Sequence, residues 1–194
     1  MKISFKPQSW LYPQPVLVIA SEDADGTPNA MVAAWGGIYD TNQIGFMLAH
    51  AHKTTANIRA AKAFTVSMGT LPLMAETDYL GTVSGNDVKN KIAACGLHVI
   101  QSEHVPAPVI EEFPLAFECR VAKMTPVNED FHIVGDIVNI LADESILTDG
   151  QIDPKKLSPL TFDAVHRSYV ALGDTCGKAW EEGKRFIDAE EGRS

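Results

Sequence analysis

The chain has 194 residues, 45% of them apolar, enough for one ordinary domain to bury a core, which excludes disorder. A formal net charge of −9 excludes a phosphate-backbone binder, because nucleic-acid footprints are basic stripes and the sequence contains none. The three cysteines (Cys95, Cys119, Cys176) are far apart and form no CxxC pair, which fits reduced thiols. The N-terminal MKISFKPQSWLYPQP has no apolar h-region, and no run of about 18 apolar residues occurs. A cytoplasmic protein with no membrane and no nucleic-acid partner is the expectation.

In chain order, VLVIA (16–20) is a compact buried-strand run. DADGTPN (23–29) supplies Asp-Gly and Pro-Asn turn signals before AMVAAW (30–35), so the two runs form a hairpin. Alternation in AMVAAW puts Met31, Ala33 and Trp35 on one face and Ala30, Val32 and Ala34 on the other. Gly36-Gly37 then ends or bends the strand. IGFMLA (44–49) is a third strand and FTVSM (64–68) a fourth, separated by TTANIRAAKA (54–63), a helix whose threonines occupy N-capping positions. MAETDYLGT (74–82) reads as helical. NDVKNKIAACGL (86–97) does too, with Asn86 or Asp87 as cap and Gly96 as stop. LAFECRVAKMTPV (115–127) and FHIVGDIVNILAD (131–143) are long, β-branched and aromatic-rich, as neighbouring strands of one sheet are. LSPLTFDAVHRSYVALGD (157–174) looks like a loop with a Pro break, and AWEEGKRFIDAEEGRS (179–194) is an acidic helix or a frayed end. Many strands, few short helices and no βαβ rhythm indicate a mainly β fold, a closed or partly closed antiparallel barrel with helical additions.

Chemistry concentrates in AHAHKTTANI (49–58), where a strand hands over to a helix. One reading gives Lys53, Thr54, Thr55 and the free N–H groups of the helix start a phosphate to hold, assisted by His50 or His52. A capped helix with solvated side chains explains the same residues equally well. A metal held by His50 and His52 is the poorest reading, since His98, His104, His132 and His166 add no ligand spacing. PNAMVAAWGG (28–37) offers small side chains and the Asn29 amide to a flat ring, with Met31 or Trp35 beside it, or is simply a core strand. GxSxG, the P-loop and GxGxxG are all absent, so no hydrolase, P-loop or Rossmann machinery is visible. Cys119 reads as a buried small hydrophobe, and His132 as either a ligand donor or a strand-edge residue.

The ordered set PVLVIASEDADGTPNAMVAAWGG, HKTTANI, SGNDVKNKIAACGL, PAPVIEEFPLAFECRV, HIVGDIVNILAD and PLTFDAVHRSYVALGD resembles the flavin reductase-like family of FMN-binding split-barrel proteins, which includes the flavoredoxins. The resemblance runs from Trp10 to Gly173. It implies a Greek-key split β-barrel of six strands over residues 1–173, a C-terminal acidic tail over 174–194, and a homodimer with one FMN per subunit at or near the interface. By the same resemblance Asn29 and Trp35 flank the isoalloxazine with the backbone of Ala30, Met31 and Ala33, while His52, Lys53, Thr54 and Thr55 hold the phosphate. Lys91, His132 and Phe162 fall where relatives contact the flavin, from one subunit or the other. Many relatives have Arg where this chain has His52, which shifts phosphate compensation onto Lys53.

The function implied is transfer of hydride from NAD(P)H, a transient donor, to bound flavin and on to an acceptor, either free flavin or a redox protein. The alternative is an FMN-containing electron carrier reduced by a partner protein. A binding module of another kind on the same barrel is a third, since fold does not fix function.

Overall fold

The computed structural model describes residues 1–184 together with Phe186 and Ile187, so half of the expected acidic tail helix, 179–194, lies outside the described residues. The architecture rests on seven strands: β1 (Leu17–Glu22), β2 (Pro28–Ala33), β3 (Gly36–Asp40), β4 (Gln43–Ala49), β5 (Ala63–Met68), β6 (Leu115–Val127) and β7 (Asp130–Ala142). They form one antiparallel sheet in the order β2-β1-β5-β6-β7-β4-β3. The two edge strands of that order are consecutive in the chain and joined only by Ala34 and Trp35. A sheet whose opposite edges are two residues apart must curl on itself, and the Met47 N–H donating to the Trp35 carbonyl at 2.9 Å carries the β3–β4 ladder into that two-residue link. Counting β2 and β3 as one bent strand gives six around a split barrel. Gly36 therefore bends the strand rather than ending it; a Cβ there would stand 2.6 Å from the Phe46 Cβ.

Alternation along β1 builds two cores. Leu17 and Ile19 enter the barrel with Phe46, Phe64 and Ile133, while Val18 and Ala20 face outward against Leu80, Ile92 and Phe113. That outer core is roofed by two helices, α2 (Met74–Thr82) and α3 (Lys91–Ala94), which is why VLVIA is apolar on both faces. Phe46 and Phe64 meet edge to face at 5.2 Å inside the barrel. β6 and β7 pair along their lengths, as their patterning predicts, with register shifts at Val134/Gly135 and Ile137/Asn139 that bend the ribbon.

Two expectations need correction. The segment 86–90 does not join the helix: α3 begins at Lys91, capped by Asn90, whose side chain accepts from the Ala93 N–H while its own backbone is left-handed (φ 50°). Gly96 (φ 81°) stops that segment, as expected. Residues 157–174 are not a loop. They contain a hairpin, β8 (Leu160–Asp163) and β9 (Ser168–Ala171), which Gln14–Pro15 extends to three strands. Asp163 makes the turn by accepting from the N–H groups of Val165 (2.9 Å) and His166 (3.3 Å), a side-chain device that alternation does not reveal.

Candidate functional site

β4 delivers the chain at Ala49 to the start of a third helix in the fold, which precedes α2 and spans Lys53–Ala61; we call it αN. Its N-cap is His52, extended (φ −73°, ψ 136°) and supplying no side-chain capping bond. The threonines are not caps either. Thr54 and Thr55 sit in the first turn; Thr55 donates to the Ala49 carbonyl at 2.8 Å, and Thr54 accepts from the Asn29 Nδ2 at 2.7 Å. The opening N–H groups of αN therefore have no capping side chain, and the positive end of the helix dipole faces outward beside β2.

A groove starts there. Three adjoining recesses follow β2 and its continuation in order. A polar one of about 260 Å³ holds Asp23, Asp25, Pro28 and Lys89; a central one of about 150 Å³ holds Met31, His52, Thr54 and Lys91; a third of about 260 Å³ holds Val32, Ala34, Phe162 and Tyr169. The first two share Asn29, Lys53 and Gly85, and the last two share Gly81 and Thr82. The facing wall in the centre is the backbone of residues 80–85, at the end of α2. β2 is an edge of the sheet, so alternate N–H and C=O groups point away from β1 into this groove. Gly85 closes the wall by backbone contact: a Cβ there would collide with the Asn29 amide and stand 3.2 Å from the Lys53 Cβ.

Charge is unevenly distributed along it. Lys53 at the mouth of αN is ion-paired with Asp23, and Lys89 with Asp25 at 2.8 Å. Lys91 is only 2% exposed; its ammonium donates to the Leu80 carbonyl at 2.8 Å and to the Val83 carbonyl, so it caps the negative end of α2 from inside the cleft. Burial pulls the Lys91 pKa down to about 8. Burial first, and then the Lys91 ammonium, hold His52 below its ordinary value of 6.5, so it is neutral at pH 7.

Of the twelve residues singled out from sequence, six line the central recess: Asn29, Met31, His52, Lys53, Thr54 and Lys91. Thr55 is buried behind it. Ala30 and Ala33 turn their side chains into the two cores, leaving only backbone for a ligand. Phe162 borders the third recess, 6.3 Å from the Tyr169 ring. Trp35 and His132 do not join the groove. They flank a separate open cleft of about 520 Å³ with Ile38 and Tyr39, and Trp35 is 57% exposed. His50 stacks on Phe131 at 4.1 Å and does not accompany His52. Periodicity and spacing do not single out Asp23, Lys89 or the wall 80–85: Asp-Gly at 25–26 reads as a turn signal, 74–82 as a helix, and nothing local marks Gly85.

The side chains of this groove are suited to binding and orienting a ligand. Among the described residues no nucleophile–base pair lines it, and Cys119 is sealed in the barrel, its thiol pushed up to about 12 by burial. The donor set (helix N–H groups, Lys53, Lys91) suits a phosphate monoester, and the strand edge with Phe162 beyond it suits a flat ring carrying hydrogen-bonding heteroatoms. An FMN-shaped ligand fits that order of surfaces. Among the described residues no helix is long and apolar enough to cross a membrane.

The sequence model of the flavin reductase like domain matches residues 9–170. Among solved structures, the flavoredoxin of Desulfovibrio vulgaris (Miyazaki F) is 34% identical, with a TM-score of 0.89, over 94% of this chain and 100% of its own. The flavoredoxin from Methanosarcina acetivorans is 29% identical, with a TM-score of 0.88, over 96% of this chain and 99% of its own. Nitrilotriacetate monooxygenase component B from Bacillus cereus, 18% identical over 92% of this chain and 99% of its own, shares the fold with a TM-score of 0.79.

Proposed function

Because this chain belongs to the flavin reductase-like family, we propose that it binds FMN in the groove along β2 and acts as an oxidoreductase that moves electrons through that flavin. The observation that carries the reading is the order of surfaces in one continuous groove: an uncapped helix N-terminus with Lys53, a strand edge, and then the apolar recess of Val32, Ala34 and Phe162. Bound there, FMN would supply the redox chemistry, a flavin able to accept hydride from NAD(P)H and to donate electrons to a free flavin or a redox protein.

The chain's own residues bind, orient and shield. Lys53, Thr54 and the first N–H groups of αN hold the phosphate, and His52 contacts it as a neutral group. Lys91 adds positive charge from below while remaining fixed by two carbonyls. The edge of β2 reads the ring's heteroatoms, and the wall 80–85 keeps water from one side of the groove. Trp35 just before β3 and Ile38 and Tyr39 within it are exposed apolar side chains, and the reading places a second copy of the chain over them as a homodimer, with Trp35 and His132 brought to the flavin across that contact.

A second reading is favoured by the near full-length likeness to two flavoredoxins: an FMN-containing electron carrier reduced by a partner protein. The experiment that separates the two is to add FMN to the purified protein, filter away the unbound flavin, and add NADH or NADPH under argon. Retained flavin absorbance that bleaches supports the reductase, retained absorbance that persists supports the carrier, and no retained flavin rejects both.

A further inference from the structure

Asp23 lies in the β1–β2 turn and is not among the residues that the resemblance assigns to the flavin, yet its carboxylate meets the Lys53 ammonium at the mouth of the groove. The turn holds it there. The Asp23 N–H donates to the Thr27 carbonyl at 2.9 Å, the Gly26 N–H donates to the Asp23 carbonyl at 3.0 Å, and the Asp23 Oδ1 accepts from the Ala24 N–H at 2.8 Å. One carboxylate oxygen is thus committed to the turn and the other to Lys53. Both side chains are about a third exposed (28% and 31%), so the pair is screened but not free in water. An arriving phosphate must share Lys53 with this carboxylate or displace it.

We propose that Asp23 is a specificity-determining residue: it competes with the ligand's phosphate for Lys53 and so sets how strongly the groove prefers a phosphorylated flavin to one without phosphate. The proposal rests on the FMN reading. It accounts for a cation that is placed at an anion site but neutralised in the free protein, an arrangement that weakens phosphate retention while leaving contacts with the ring untouched. Asp25 provides an internal comparison. It has the same turn chemistry, with the Thr27 N–H on one oxygen (3.0 Å) and Lys89 on the other, but its pair is far more exposed and does not involve Lys53.

The test measures dissociation constants of FMN and riboflavin, at low ionic strength, for the wild-type protein and for Asp23→Asn, Asp25→Asn, Lys53→Ala and Asp23→Asn/Lys53→Ala. The asparagine keeps the Ala24 contact, so the turn survives. Asp23→Asn is expected to tighten FMN about two- to five-fold, leave riboflavin unchanged, and lose its effect when Lys53 is absent. Asp25→Asn is expected to shift FMN by less than about 1.5-fold. Weaker FMN binding in Asp23→Asn would show that Asp23 aims Lys53 at the ligand and would overturn the proposal. So would an unchanged constant, equal shifts for both flavins, or tightening that persists without Lys53. Each of these leaves the FMN reading standing, whereas a wild-type protein that binds neither flavin overturns both.

Discussion

Asn29 on the edge strand and Thr54 in the first turn of αN are joined by a hydrogen bond of 2.7 Å, Nδ2 to Oγ1, and both side chains are buried. This bond fixes the helix N-terminus relative to β2, and therefore fixes the spacing between the polar and ring ends of the groove. Asn29→Ala leaves the Thr54 hydroxyl without its donor in a buried place. The expected loss is about 1–3 kcal/mol in urea unfolding, with weaker FMN binding at conditions where the variant is still folded. An unchanged midpoint and an unchanged dissociation constant would deny the bond this role.

Lys91 gives the site a pH dependence. Its pKa, about 8 in the folded chain, lies below that of an ordinary lysine (10.5), so between those values the unfolded state binds more protons. Its contribution to stability is therefore constant below pH 8 and becomes more favourable as pH rises across that window. FMN affinity moves the other way, falling above about pH 8 as the groove loses an ammonium. Lys91→Met should flatten the affinity between pH 7 and 9.5, and a wild-type dissociation constant that is itself flat there would contradict the placement of Lys91.

His52 carries no charge at pH 7 because burial, and then Lys91, depress its pKa. The pH at which this imidazole loses its charge therefore lies below 6.5. His52→Arg restores a permanent cation, and FMN should bind about tenfold more tightly at pH 7.5 through a charge-assisted hydrogen bond, with riboflavin unaffected. Equal binding of FMN by both proteins would mean that the side chain at 52 does not reach the phosphate.

Gly135 is a test of the barrel itself. A Cβ at this position would fall on the Phe64 ring, whose edge is also packed against Phe46. Gly135→Ala should destabilise the protein by about 1–3 kcal/mol. In combination with Phe64→Leu, the loss should be smaller than the sum of the single variants, because the shorter side chain removes the collision. Additive losses would show that the ring already moves aside freely.

The elements legible in the sequence were those with a strand composition of their own. β1 and β2 are compact runs of apolar or small residues, β6 and β7 are long, β-branched and aromatic-rich, and Asp-Gly between the first two marks the hairpin. Closure of the barrel was not legible in periodicity, since it depends on the bend at Trp35–Gly36 sending one strand to both edges of the sheet. The β8–β9 hairpin was hidden because Asp163, rather than Asn-Gly or Gly-Gly, makes its turn. In the site, Lys53 and Thr54 were readable because they cluster at a strand-to-helix junction. Their actual partners, Asp23 and Asn29, are distant in sequence, and pairing across tertiary structure leaves no local signature. Lys91 was known only by resemblance; nothing in KNKIAACGL indicates that its ammonium is buried on two helix-end carbonyls.

The central claim is that FMN lies along β2 with its phosphate at the start of αN. The most direct measurement is a crystal structure of the protein grown with FMN. The account predicts the phosphate beside Lys53 and Thr54, and the ring between the edge of β2 and Phe162. FMN whose phosphate lies in the cleft of Tyr39 and His132, or a groove that stays empty at saturating FMN, would contradict it.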